Sequence, residues 1–160
     1  MQREDFTREE FSELCSLPRQ NSRKRFIKVF QNDDYEGAQF CLNVIQPESY
    51  IRSHCRFVDE TVIHYRGILC SLQFKNDGTL LTSKIINGDR LRIALPAHTF
   101  QTIVSLEENS ALWMITHGKH DKNNYCTYLS DAPDERGDFH SYFEKLREVA
   151  VNTFHAYVRH

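Results

Sequence analysis

Neither sign of charge dominates this 160-residue chain. Lysine and arginine number 20 against 22 aspartates and glutamates, for a formal net charge of -2. No global attraction to nucleic acid or anionic lipid follows from that balance. No apolar run approaches the roughly 20 residues that cross a bilayer, and the opening Met1-Gln2-Arg3-Glu4-Asp5 is too polar for a signal peptide. The expectation is a cytoplasmic protein with neither nucleic acid nor membrane as partner. A disulfide framework is also missing. The five cysteines (Cys15, Cys41, Cys55, Cys70, Cys126) are odd in number, irregularly spaced and without a CxxC pair, which argues against both a stapled scaffold and a zinc ribbon and predicts buried or half-buried thiols. There is no internal repeat and no low-complexity segment.

What is present suits one globular domain over residues 1–160, since 40% hydrophobic and 12% aromatic content can close a core without staples. Thr7 followed by Glu10 forms a capping box, with Phe6 placed to meet Phe11 as a hydrophobic staple. A helix is expected within residues 1–18, stopped by Pro18. The run Arg19 to Arg25 reads as a loop with a charged rim.

From residue 25 to 116 the apolar period becomes that of strands. Segments 26–30, 39–45, 61–74 with a break at Gly67, 79–86, 90–95, 100–106 and 111–116 alternate. They are separated by turns at Asn32-Asp33-Asp34, Asn76-Asp77-Gly78, Asn87-Gly88-Asp89 and Glu107-Glu108-Asn109. This spacing predicts a sandwich or a double-sheet barrel. Asp138 can cap a last helix over residues 138–158, whose apolar positions recur at three- and four-residue steps and cover a barrel face or join a dimer.

The chemistry concentrates in His54-Cys55-Arg56-Phe57-Val58-Asp59-Glu60 with Gly67 beyond it. His54 and Arg56 share a strand face, and Glu60 returns to it. Imidazole plus carboxylate suits zinc, iron, nickel or manganese. Arg56 offers no lone pair, so it is either the partner of Glu60 in a metal-free ion pair or the holder of an anionic ligand beside a metal. His64 alternates onto the face of Glu60 and Val62 and is a substitute ligand or a general base.

Two patterns, H-x-H-x(3)-E-x(6)-G and P-x-G-x-x-H, are the paired signatures of cupins. This chain has His54, Arg56, Glu60 and Gly67 at the positions of the first, and Pro96, His98 and Gln101 at those of the second. More narrowly it resembles the WbuC family of cupin-fold metalloproteins. The likeness runs from about Arg19 to Glu135 and is carried by Arg23-Lys24-Arg25, residues 48–54, Tyr65-Arg66-Gly67, residues 74–78, His117-Gly118-Lys119 and Ala132-Pro133-Asp134-Glu135.

That resemblance implies a mainly β fold, the double-stranded β-helix or jelly-roll barrel, with a short N-terminal and a longer C-terminal helix. It implies a divalent-metal site on His54, Glu60 and Gln101, weakened because Arg56 and Gln101 replace histidines. It also implies an association with surface-polysaccharide (O-antigen) genes, and hence a sugar or sugar-nucleotide-like anionic ligand, and the pairing through barrel faces common among cupins makes a homodimer an expectation. Glu60 and His64 would be the bases if the protein is an isomerase or epimerase. A metal-free binding or regulatory module is the alternative. Arg52, Arg56, Tyr50, Tyr65 and Trp113 are candidate ligand contacts, the aromatic residues as a stacking wall or as barrel core. His117, His120, His140, His155 and His160 read as surface residues.

Overall fold

A computed structural model describes residues 7–30, 38–118 and 126–160. The turn expected at Asn32-Asp33-Asp34, the side chain of Phe6 and His120 lie outside them.

Helix α1 (Arg8–Gln20) begins with the expected box. The Glu10 amide donates to Thr7 Oγ1 at 3.2 Å, and the Thr7 amide donates to Glu10 Oε2 at 2.6 Å. Pro18 does not stop this helix but sits inside it. In the last turn its missing N–H forfeits a single hydrogen bond, and its ring is buried. Phe11, Leu14 and Cys15 press the helix onto one sheet.

Ten strands follow: β1 (Arg25–Val29), β2 (Ala38–Ile45), β3 (His54–Arg56), β4 (Glu60–Arg66), β5 (Leu69–Phe74), β6 (Leu80–Ile86), β7 (Arg92–Leu95), β8 (Phe100–Ser105), β9 (Ser110–His117) and β10 (Cys126–Tyr128). They form two antiparallel five-stranded sheets, ordered β1-β2-β9-β4-β7 and β10-β3-β8-β5-β6. This is the expected jelly roll, with a helix laid against each sheet.

The expected break at Gly67 is where the chain leaves one sheet for the other. Gly67 has φ +78°, and a Cβ there would lie 2.4 Å from Ser110 Oγ and 2.8 Å from Ser110 Cα. No side chain fits, so the crossover requires glycine. The β5–β6 hairpin turns at Gly78, with the Thr79 amide donating to Asp77 Oδ1 at 2.9 Å.

Strand alternation sorts the apolar residues into three groups. Ile45, Val62, Leu69, Ile86, Ile93, Leu95, Ile103 and Leu112 fill the space between the sheets. Cys70, Leu72, Phe74, Ile85 and Val104 face outward beneath helix α2 (His140–Val158), which covers them with Phe143, Leu146 and Ala150. Leu42, Val44 and Ala111 face outward beneath α1. Phe139 occupies the N-cap of α2 with no side-chain bond, and Asp138, one residue earlier, accepts from the His140 amide at 3.3 Å.

Candidate functional site

Between the sheets, towards their β1 and β10 edges, lies a cavity of about 360 Å³. His54 and Arg56 enter it from β3, Gln101 from β8, and Thr116 and Met114 from β9. Register explains the convergence. His54 is the cross-strand partner of Gln101, and Glu60 is that of Thr116.

Glu60 is the centre of this cluster. Arg56 Nε lies 2.8 Å from its Oε1, Thr116 Oγ1 donates to Oε1 at 3.0 Å, and Gln101 Nε2 donates to Oε2 at 3.1 Å. Burial pushes the carboxyl up, while the guanidinium and the two hydrogen bonds oppose that push. All three donors serve the carboxylate form.

His54 Nδ1 is 2.8 Å from the Arg52 carbonyl oxygen. A carbonyl only accepts, so Nδ1 carries the proton and Nε2 keeps its lone pair. Burial, reinforced by the charge of Arg56, lowers the His54 pKa to about 4. The ring is neutral at pH 7.

The donor set does not fit a divalent ion. Among the described residues no group of three or more His, Cys, Asp or Glu side chains is placed to hold a metal. Of the expected ligands, His54, Glu60 and Gln101 do come together. Gln101, however, turns its amide N–H towards Glu60, and a guanidinium occupies the remaining side of the carboxylate. A dication here would meet a fixed positive charge.

The other expected site residues divide. Arg52 lines the cavity, with Nε donating to the Ala132 carbonyl at 2.9 Å and its guanidinium 4.4 Å from the Tyr128 ring. His64 shares the inward face of β4, but Val62 separates it from Glu60, and its Nε2 donates to the Gly67 carbonyl at 2.8 Å. It is not part of the cavity wall.

The three aromatic residues do not form a stacking wall in this cavity, and Tyr50 takes the alternative role of core. Trp113 alternates outward between Leu112 and Met114 and stacks on Phe40 at 4.7 Å. Tyr65 meets Phe11 at 5.0 Å on that same outer surface. Tyr50 stacks on Phe139 at 4.6 Å, its hydroxyl donating to the Pro133 carbonyl. Burial raises the Tyr50 pKa above the usual tyrosine value. None of the three belongs to the cavity wall, although Tyr50 lines an adjoining outer cleft of about 480 Å³. His117, His140, His155 and His160 are exposed. His98, at the glycine position of the second cupin pattern, is exposed too and adopts φ +60°.

Sequence reasoning missed how the charged rim is closed. Glu135 Oε1 accepts from Arg25 Nη2 at 2.7 Å, and Glu135 Oε2 accepts from Arg23 Nη2 at 2.7 Å. Those cations hold its carboxyl below the usual range, against the opposing effect of burial. Arg23, Arg25, Arg52 and Glu135 line both the cavity and the outer cleft. The basic run before β1 was the available signal for the two arginines. Nothing local marked Glu135 as their partner.

Comparison with known proteins agrees with the architecture. Among solved structures the chain is similar to protein SO0799 from Shewanella oneidensis, at 11% identity and TM-score 0.60, over 74% of this chain and 84% of that one. It is similar to the capsular polysaccharide assembling protein CapF from Staphylococcus aureus, at 18% identity and TM-score 0.57, over 68% of this chain and 32% of that one. It is similar to oxalate decarboxylase from Bacillus subtilis, at 14% identity and TM-score 0.50, over 60% of this chain and 25% of that one. The chain thus spans about a third of CapF and a quarter of the decarboxylase. At such identities the likeness is one of fold, the cupin-type jelly roll. The comparison with curated proteins found no match. A family model does match, over residues 6–86, and on that match the chain belongs to the family described as a domain of unknown function, DUF6016.

Proposed function

We propose that this chain is a binding module that takes a small anionic molecule into its barrel cavity, with Arg56 standing in for the metal ion that the WbuC-like motif implies. The observation that carries the reading is the closure of Glu60 by Arg56, Thr116 and Gln101. That closure engages both carboxylate oxygens in bonds within the protein. His64 is committed to Gly67. Among the described residues the cavity wall carries four guanidiniums, Arg23, Arg25, Arg52 and Arg56, in a chain of net charge -2. One positive charge is in excess even after Glu60, Glu135 and Asp134 are set against them. A low-dielectric cleft concentrates such an excess on an incoming anion.

A second reading makes the ligand a sugar or sugar nucleotide and the chain an isomerase or epimerase of surface-polysaccharide synthesis, with Glu60 and His64 as bases. Its support is the WbuC-like segments and the likeness in fold to CapF, a capsular polysaccharide assembling protein. The tightly bonded Glu60 favours the first reading.

Shifts of backbone amide NMR signals on titration with small anions test the proposal. Saturable shifts at His54, Gln101 and Met114, weakened in Arg52→Gln, are expected. Equal binding of neutral analogues, or no binding by any anion, overturns it.

A further inference from the structure

We infer that the anion taken by the barrel cavity is a small carboxylate with an apolar body, held body-inward with its carboxylate at Arg25 and Arg52. The inference rests on the anion-binding reading above and deepens it.

The wall includes an apolar group, Ile45, Ile51, Ile103, Leu112 and Met114, alongside the polar Asn43, His54, Gln101 and Thr116. A hydroxyl pressed against the apolar group loses its water and gains no partner, which penalises a sugar whose hydroxyls meet that side. A hydrocarbon body meets no such penalty and gains burial. Among the described residues the only aromatic side chain on the wall is Tyr128, and the Arg52 guanidinium already lies 4.4 Å from its ring. The cavity therefore lacks a free ring for a pyranose to stack on. Its 360 Å³ stands near the lower end of ligand sites, which run from about 300 to 1,000 Å³.

The charged end is set by the two arginines. Arg25 Nη1 donates to the Tyr50 carbonyl at 2.9 Å and Arg25 Nη2 to Glu135. Arg52 bonds through Nε to Ala132 and through Nη1 to Asp134. These bonds fix both guanidinium planes before a ligand arrives, so binding freezes little further side-chain motion. Arg52 Nη2 has no protein partner among the described residues and remains to donate.

Titration calorimetry with acetate, hexanoate, 1-hexanol and glucose 1-phosphate, on wild type, Arg52→Gln and Met114→Gln, tests this. Each buried methylene strengthens binding about fourfold, so hexanoate should bind on the order of a hundredfold more tightly than acetate. Hexanol should bind at least about tenfold more weakly than hexanoate, as expected for a lost charge-assisted pair. Arg52→Gln should weaken hexanoate while preserving its preference over acetate. Met114→Gln should shrink that preference, with both variants melting as folded proteins. Tighter binding of glucose 1-phosphate than of hexanoate overturns the carboxylate assignment and leaves anion binding standing. Binding of none of the three anions overturns both.

Discussion

Arg56 Nε and Glu60 Oε1 stand 2.8 Å apart inside the barrel, with 13% and 1% of their side chains exposed. The attraction of such a pair is offset by the cost of removing both charges from water, so its net contribution is small while the loss of either partner is costly.

Removing Arg56 alone should therefore expose the asymmetry. Arg56→Met leaves a buried carboxylate without its cation and should cost about 3–5 kcal/mol, whereas Arg56→Met with Glu60→Leu should recover most of that loss. Urea unfolding of the two single variants and the double variant measures the coupling. A single variant that loses less than about 1 kcal/mol would show that Thr116 and Gln101 suffice to hold the carboxylate.

Metal affinity should appear when the cation is exchanged for ligands. Arg56→His with Gln101→His places two imidazoles beside His54 and Glu60, a donor set that suits zinc. Calorimetry with zinc and manganese should find wild type at least a hundredfold weaker than this variant. Tight binding of a full equivalent by wild type would place a metal site elsewhere in the chain.

His54 should dominate the acid limb of stability. Its native pKa, about 4, lies below the unfolded value near 6.5. Below pH 6.5 the unfolded chain takes up a proton that the native state refuses, so stability falls with pH until about pH 4. The span corresponds to on the order of 3 kcal/mol. Thermal melts between pH 7 and 4 should be flatter in His54→Gln. Parallel curves for the two proteins would remove the effect from His54.

Gly67 and Gly88 should respond differently to alanine. A Cβ at Gly67 meets the Ser110 backbone at 2.8 Å in a left-handed conformation, while at Gly88 nothing lies within 4 Å. Gly67→Ala should cost more than about 1 kcal/mol, and Gly88→Ala should stay within about 0.5 kcal/mol. Equal losses by chemical denaturation would contradict the close approach.

The spacing of His54, Arg56 and Gln101 pointed to one cavity, with Glu60 buried beside it, because alternation within β3 and the cross-strand pairs to β8 and β9 carry spacing almost directly into space. Trp113, Tyr65 and Tyr50 were not legible in this way. Helices cover the outer faces of both sheets, so apolar side chains occur on both sides of each strand and a large ring does not announce its direction. Pro18 misled because a breaker near a helix end loses little. Met114 and Thr116 needed only the parity of β9, which Trp113 obscured. Glu135 needed the tertiary fold itself.

Glu135 lies 110 residues along the chain from Arg25 and 112 from Arg23. Contacts of such span are the slowest kind to establish, since the loop they close must first be brought round. The rim is thus expected to mature after the sheets have paired. In time-resolved exchange during refolding, the hairpin amides of β5 and β6 should gain protection before the Arg52 amide, which Glu135 accepts at 3.4 Å. A newly made barrel would then pass through an interval in which its walls exist and its ligand does not yet bind.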